Sequence, residues 1–147
     1  ALRPALRLDS SREASQSPPM ETHQVFALAA SGVIGLLIVF QCLLALGLPF
    51  GRAAWGGRHR VLPTKHRWGS VAAIPILGVA AWAVLARAGL LAPGPEATFS
   101  RVFTWFFAAY FILNTVGNLA SSSTLERNTM TPVSTSLVIC FLVVALS

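Results

Sequence analysis

Residues 24–48 run for twenty-five positions without a charged side chain. Three more runs follow: 69–91 carries only Arg87, while 102–120 and 132–147 carry no charge at all. A helix needs about 20 residues, within a range of about 17–25, to cross the hydrocarbon layer of a bilayer. The first three runs meet that length; the fourth is short at sixteen residues and meets it if its helix begins near Thr129. None shows the strict alternation of a half-buried strand, and all are far longer than one. The expected fold is therefore all-α, an integral membrane four-helix up-down bundle, with helices near 24–48, 69–91, 102–120 and 131–147.

Composition agrees. The 147 residues are 54% hydrophobic and 11% charged, with a mean hydropathy of +0.66. Soluble domains carry about 25% charged residues, so this chain has too little polar surface to coat a water-facing globule. Breaks between spans are marked by Gly47, Pro49 and Gly51, by Pro93, Gly94 and Pro95, and by the polar stretch 121–124. Thr131 followed by Pro132 reads as a helix start with proline in the first turn. Pro75, inside the second span, predicts a bend.

Residues 1–22 form a different unit, an extended polar tail rich in Ser, Pro and Arg that should be disordered alone. Docking it would take a neighbouring subunit, with Arg3, Arg7 and Arg12 pairing with acids and Leu2, Leu6 and Leu8 adding apolar contact. Residues 23–147 form the transmembrane domain.

The connection between the first two spans is the most polar part of that domain. Residues 51–69 hold Arg52, Arg58, Arg60, Lys65, Arg67, His59, His66, Trp55 and Trp68, and no acid. With four spans this loop shares its side with residues 121–131. That side has six basic residues against Glu126, whereas the terminal side has five against four acids. The excess of Lys and Arg predicts that the loop faces the cytoplasm, or the matrix or stroma of an organelle. Five cations beside an anionic leaflet gain about 1 kcal/mol each. Arg52, Arg58, His59, Arg60, Lys65 and Arg67, flanked by Trp55 and Trp68, are thus expected to meet lipid headgroups or a partner. The loop is short and has no folded domain to present it, so no nucleic-acid partner is expected. No phosphate-loop spacing of glycine and lysine occurs.

The loop "GRAAWGGRHRVLP" (51–63) and the stretch "NLASSSTLERNTMTP" (118–132) resemble a family of small uncharacterised four-helix bacterial integral membrane proteins. The matching positions are Trp55, Gly56, Gly57, His59, Leu62, Pro63, Asn118, Glu126, Arg127 and Pro132. Asn114 stands where that pattern has a small residue such as Gly. The resemblance covers roughly residues 25–147 and implies the four-span topology, with no reaction attached.

Catalytic sets are missing. No acid lies within a predicted span, so paired carboxylates for acid–base work are absent there. His59 and His66 lack a nearby Cys or carboxylate, and His23 falls at the opposite end. Cys42 and Cys140 read as small buried hydrophobes. No metal site and no enzyme activity is expected.

What polarity the spans hold is patterned. Tyr110, Asn114 and Asn118, at spacing four, form one stripe on the third helix. Such groups join helices, at about 0.6–2 kcal/mol per bond, or line a pocket. Gln41 adds an amide in the first span. Ala27, Ser31 and Gly35 form a small-residue stripe that predicts close helix packing. Phe103, Trp105, Phe106, Phe107 and Phe111 make the outer half of the third helix aromatic, a surface for lipid or a neighbouring subunit. The expected role is a non-catalytic accessory subunit of a larger membrane complex, respiratory or photosynthetic, in a bacterial inner membrane or an organelle membrane descended from one. The alternative is a small transporter or a lipid- or quinone-binding protein. No cofactor is called for, although bound lipid, quinone or pigment is compatible with the polar stripe.

Overall fold

The computed structural model describes residues 19–91 and 97–147. The expected polar tail, up to position 18, and its docking lie outside the described residues. Four helices carry the fold: α1, Thr22–Ala45; α2, Thr64–Arg87; α3, Ala97–Leu119; and α4, Thr124–Leu146. All four are long and apolar enough to cross a membrane. Neighbours run α1–α2–α3–α4 and back to α1, with only slight diagonal contact between α2 and α4. This is the antiparallel bundle that short connections impose.

Each helix end has a local cause. At the start of α1, Gln24 Oε1 reaches back to accept from Glu21 N–H at 3.1 Å, and the Glu21 carboxylate caps the other way. α1 and α2 stop in the same fashion. Gly47 (φ +86°) and Gly89 (φ +70°) take the left-handed conformation. In each case the next residue bonds back five positions, Leu48 N–H to the Leu43 carbonyl at 3.1 Å and Leu90 N–H to the Leu85 carbonyl at 3.0 Å. These closures satisfy carbonyls that a helix end leaves bare.

Three helices start earlier than the apolar runs imply. α2 begins at Thr64, not near 69, after Pro63 in an extended conformation. Lys65, His66, Arg67 and Trp68 therefore lie on its first turn and not in the loop. α3 begins at Ala97, not near 102. α4 begins at Thr124, where Ser123 Oγ accepts from Glu126 N–H at 3.3 Å. Pro132 is inside α4 and does not open it. Charged and polar residues are good enough helix formers to continue a helix beyond its apolar span, so hydropathy locates the membrane-crossing part and capping locates the helix. At the other end α1 closes at Ala45, three residues before the apolar run does.

The core centres on a cluster of tilted rings between α3 and α4. Phe111 and Phe141 approach to 5.1 Å between centroids, and Phe107 lies 6.3 Å from Phe141. Ile34, Val84, Leu137 and Val144 complete it at zero exposure. On the α1 and α2 side, alanines are buried beside Ile34 and Val84: Ala27 and Ala30 on one helix, Ala80 and Ala83 on the other. Thr104 Oγ1, fully buried, bonds the Ala83 carbonyl of α2 at 3.2 Å. Between 22% and 28% of each span is buried inside the protein. Large apolar side chains such as Leu36, Val39, Ile76, Leu113 and Ile139 point outward, as they do in a bundle solvated by lipid.

The expected stripe on α1 is corrected by the packing. Ala27 is buried, but Ser31 is half-buried and bonds its own helix at the Ala27 carbonyl, 2.9 Å. Gly35 is exposed, with nothing within 4 Å of where a side chain would begin. The seam runs Ala27, Ala30, Ile34. Each four-residue step turns the face by about 40°, whereas a step of three and then four nearly returns to it. Two steps of four carry Gly35 out of the interface. Ala30→Leu is expected to lower stability by about 1–3 kcal/mol through overpacking, while Gly35→Leu leaves it within about 0.5 kcal/mol. Thermal unfolding of the detergent-solubilised variants measures both.

Candidate functional site

The loop between α1 and α2 folds down over one end of the bundle. Two short 3-10 turns, Gly51–Ala53 and Trp55–Gly57, bend it. Leu44, Ala54 and Leu62 are buried together beneath it, with Phe40 packed against them. Gly51 N–H bonds the Arg60 carbonyl at 3.0 Å and closes the loop on itself.

Trp55 is the pivot. Its φ is +56°, the only positive value among the described non-glycine residues. Strain of this kind persists where surrounding contacts over-determine it. Here the indole Nε1–H donates to Ser70 Oγ at 3.2 Å, and the ring lies against Gly69, where any Cβ would come within 2.6 Å of it. His66 lies tilted against the same ring, 5.4 Å between centroids, and His59 lies 5.9 Å from His66. Trp55 thus packs on α2, although 44% of it remains exposed. Trp68, at 68%, is the more open of the two.

The α3–α4 turn completes the closure. Ser123 Oγ donates to the Arg52 carbonyl at 2.7 Å, and Ser122 Oγ to the Gly56 carbonyl at 3.4 Å. Gly57 has no room for a side chain because Ser123 occupies that space. Glu126 is 7% exposed and holds both segments. Its Oε1 accepts from Gly56 N–H at 3.3 Å, and its Oε2 accepts from Ser121 Oγ at 2.5 Å. In a capping box this carboxylate would return to Ser123 N–H. Ser123 N–H instead bonds Ser121 Oγ at 3.2 Å, which leaves Glu126 free to latch the loop. The third position of a helix also favours a carboxylate electrostatically.

Beneath this lid lies a cavity of about 380 Å³ reached by all four helices. Its walls are mostly apolar and aromatic, with Phe40, Leu77, Phe111 and Leu137 among them. Polar groups gather toward the lid: Gln41 from α1, Tyr110, Asn114 and Asn118 from α3, and Ser134 and Glu126 from α4. Asn118 Nδ2 donates to Asn114 Oδ1 at 3.1 Å, and across to α4 at the Met130 carbonyl and Ser134 Oγ, both 3.2 Å. Gln41 Oε1 is buried without a hydrogen-bond partner. A second depression outside α3 shares Tyr110, Asn114, Asn118 and Glu126 with the cavity and is bordered by Arg58 and Ser122.

The loop cations do not converge on this cavity. Arg52, Arg58, His59, Arg60 and Lys65 are exposed. Arg67 is half-buried, and its Nε–H donates to the Ala45 carbonyl at 2.7 Å. There it satisfies a bare carbonyl and places a cation at the negative end of α1. Among the described residues, no group of three His, Cys, Asp or Glu side chains could hold a metal ion, and the one salt bridge joins His23 to Glu21 at 3.4 Å.

Sequence reasoning placed the stripe Tyr110, Asn114 and Asn118 on one face, and all three line the cavity. It did not bring Gly56, Ser70, Ser121 and Ser123 into the site. The legible signal was the Ser123–Glu126 spacing, a helix-start signature hidden by the polar residues after it. No family model matches the chain, nor does any curated protein or solved structure, which leaves geometry as the ground for function. Glu126→Ala strands Gly56 N–H and the Ser121 hydroxyl. It is expected to cost about 1–3 kcal/mol and to free the loop, read as faster tryptic cleavage after Arg58 and Arg60.

Proposed function

We propose that this chain is a multi-pass membrane protein that holds a small amphipathic molecule between its helices and does no chemistry on it. The cavity under the loop carries this reading. Ligand sites are typically about 300–1,000 Å³, mainly apolar, with a few convergent polar groups, and a volume of about 380 Å³ with its polar groups at one end fits that description. A molecule with an apolar body would enter from the hydrocarbon and set its polar end toward Gln41, Asn114 and Glu126. Among the residues lining the cavity, the Ser134 hydroxyl bonds Asn118 and two backbone carbonyls and no base.

The ligand panel for the test is lipophilic molecules of one to three rings, added to the detergent-solubilised protein. A ligand present at 100 times its Kd stabilises by about 2.7 kcal/mol. Members of the panel are expected to raise the melting temperature of the native chain, and Ala73→Phe, which fills the cavity from α2, is expected to remove the effect. No shift with any member, or a shift that survives Ala73→Phe, sinks the proposal.

The loop end is proposed to face the cytoplasmic side, or its matrix or stromal equivalent, because its cations outnumber its acids. Exposed Arg52, Arg58, Arg60 and Lys65 then rest on anionic headgroups, with Trp68 at the interface. Thr64→Cys, in a chain lacking Cys42 and Cys140, is expected to resist membrane-impermeant thiol reagents until the membrane is permeabilised. A place in a larger assembly is the second reading. The outward face of α3, where Phe99, Phe103, Trp105 and Phe106 are exposed, is the surface a neighbouring subunit would cover.

A further inference from the structure

We infer that the molecule held in the cavity is an organic cation, an amine with an apolar or aromatic body, whose ammonium group pairs with Glu126. This rests on the ligand-binding reading above and names the ligand class.

Glu126 is the one charged side chain among the residues lining the cavity. It is buried, and its partners there are neutral, the Gly56 N–H and the Ser121 hydroxyl. No cation lies within ion-pair distance of it among the described residues. Arg58 borders the outer depression that Glu126 also reaches, but it is exposed and makes no ion pair with it. Arg67 is engaged at the end of α1. A carboxylate out of water and lacking a counter-ion favours a positive charge beside it.

The neutral polar groups point the same way. Gln41 Oε1 is a buried acceptor with no donor, and it lines the same cavity. The Asn118 amide hydrogens are spent on Asn114, Met130 and Ser134. Glu126 and the Gln41 oxygen thus present acceptors in this cavity. An ammonium, which donates and accepts nothing, fits such a wall. A carboxylate or phosphate head would face Glu126 at low dielectric, where like charges repel strongly. The aromatic lining supplies a further attraction, because Phe40, Trp55, Tyr110 and Phe111 all border the cavity and ring faces attract cations.

Three probes of one shape separate the possibilities: 4-phenylbutylamine, 4-phenylbutanol and 5-phenylpentanoate, titrated calorimetrically into the purified full chain in detergent. The native protein is expected to bind the amine at least about tenfold tighter than the alcohol, as a charged hydrogen bond in a buried site allows, and the carboxylate weakest. Glu126→Gln keeps an acceptor oxygen for the Gly56 N–H and lets its amide donate to the Ser121 hydroxyl instead of accepting from it, and is expected to erase the preference for the amine while leaving alcohol binding unchanged. Gln41→Met provides an independent check should Glu126→Gln fold poorly, and is expected to weaken the amine several-fold with little effect on the alcohol. If amine and alcohol bind equally to the native chain, or the carboxylate binds best, the cation assignment is overturned while ligand binding stands. If none of the three binds and Ala73→Phe changes nothing, the ligand-binding reading falls as well.

Discussion

A peptide group in hydrocarbon has no water to bond, so each N–H and C=O in a spanning segment must be satisfied within the protein. Everything else in this structure follows from meeting that demand four times with a short chain. The four helices satisfy their own backbones, which leaves side chains to decide how they meet. Where α1 and α2 meet, alanines are buried on both. Where α3 and α4 meet, three phenylalanine rings interlock. The open volume lies toward the loop end, bordered by side chains from every helix.

That end is also where helix termini expose unpaired groups, and the chain meets them with a compact set of polar side chains. Arg67 covers a carbonyl at the end of α1. Ser123 caps α4 while bonding the loop through Arg52. Glu126 joins the loop to the α3–α4 turn. These contacts convert a basic connection into a fixed lid. The exposed cations remain on its outer side, free for headgroups, and the underside is left to Trp55, Ala54 and Leu62. The same nineteen-residue stretch that carries the charge on one surface is tied by one carboxylate, seventy positions away from Gly56, over a cavity whose polar groups come from α1, α3 and α4.

The arrangement accounts for several polar groups that otherwise sit awkwardly in a membrane protein. Asn118 is consumed in joining α3 to α4. Asn114 accepts from it and, though exposed, borders the cavity along the same stripe. Gln41, by contrast, keeps a buried oxygen without a donor, and Glu126 keeps a buried carboxyl group with no cation at ion-pair distance among the described residues. Both costs are explained by one occupant that brings a positive, donating group to the polar end of the cavity.

The number of spans, their order and the concentration of cations on one side were legible in the residues alone, because span length and charge placement are set by composition along the chain. So was the stripe of Tyr110, Asn114 and Asn118, a consequence of helical spacing. Other features depended on neighbours. Which face of α1 packs was decided at Ala30 and Ile34 rather than Ser31 and Gly35, since small residues allow close approach but do not say where a partner lies. The starts of α2 and α4 were set by Pro63 and by the Ser123 cap, upstream of the apolar runs. The pairings that shape the site link Trp55 to Ser70, Asn118 to Ser134 and Gly56 to Glu126, and only folding brings such distant positions within reach. Local chemistry determined what each segment could become, and the tertiary contacts alone determined which polar groups were satisfied and which two were left facing an open space.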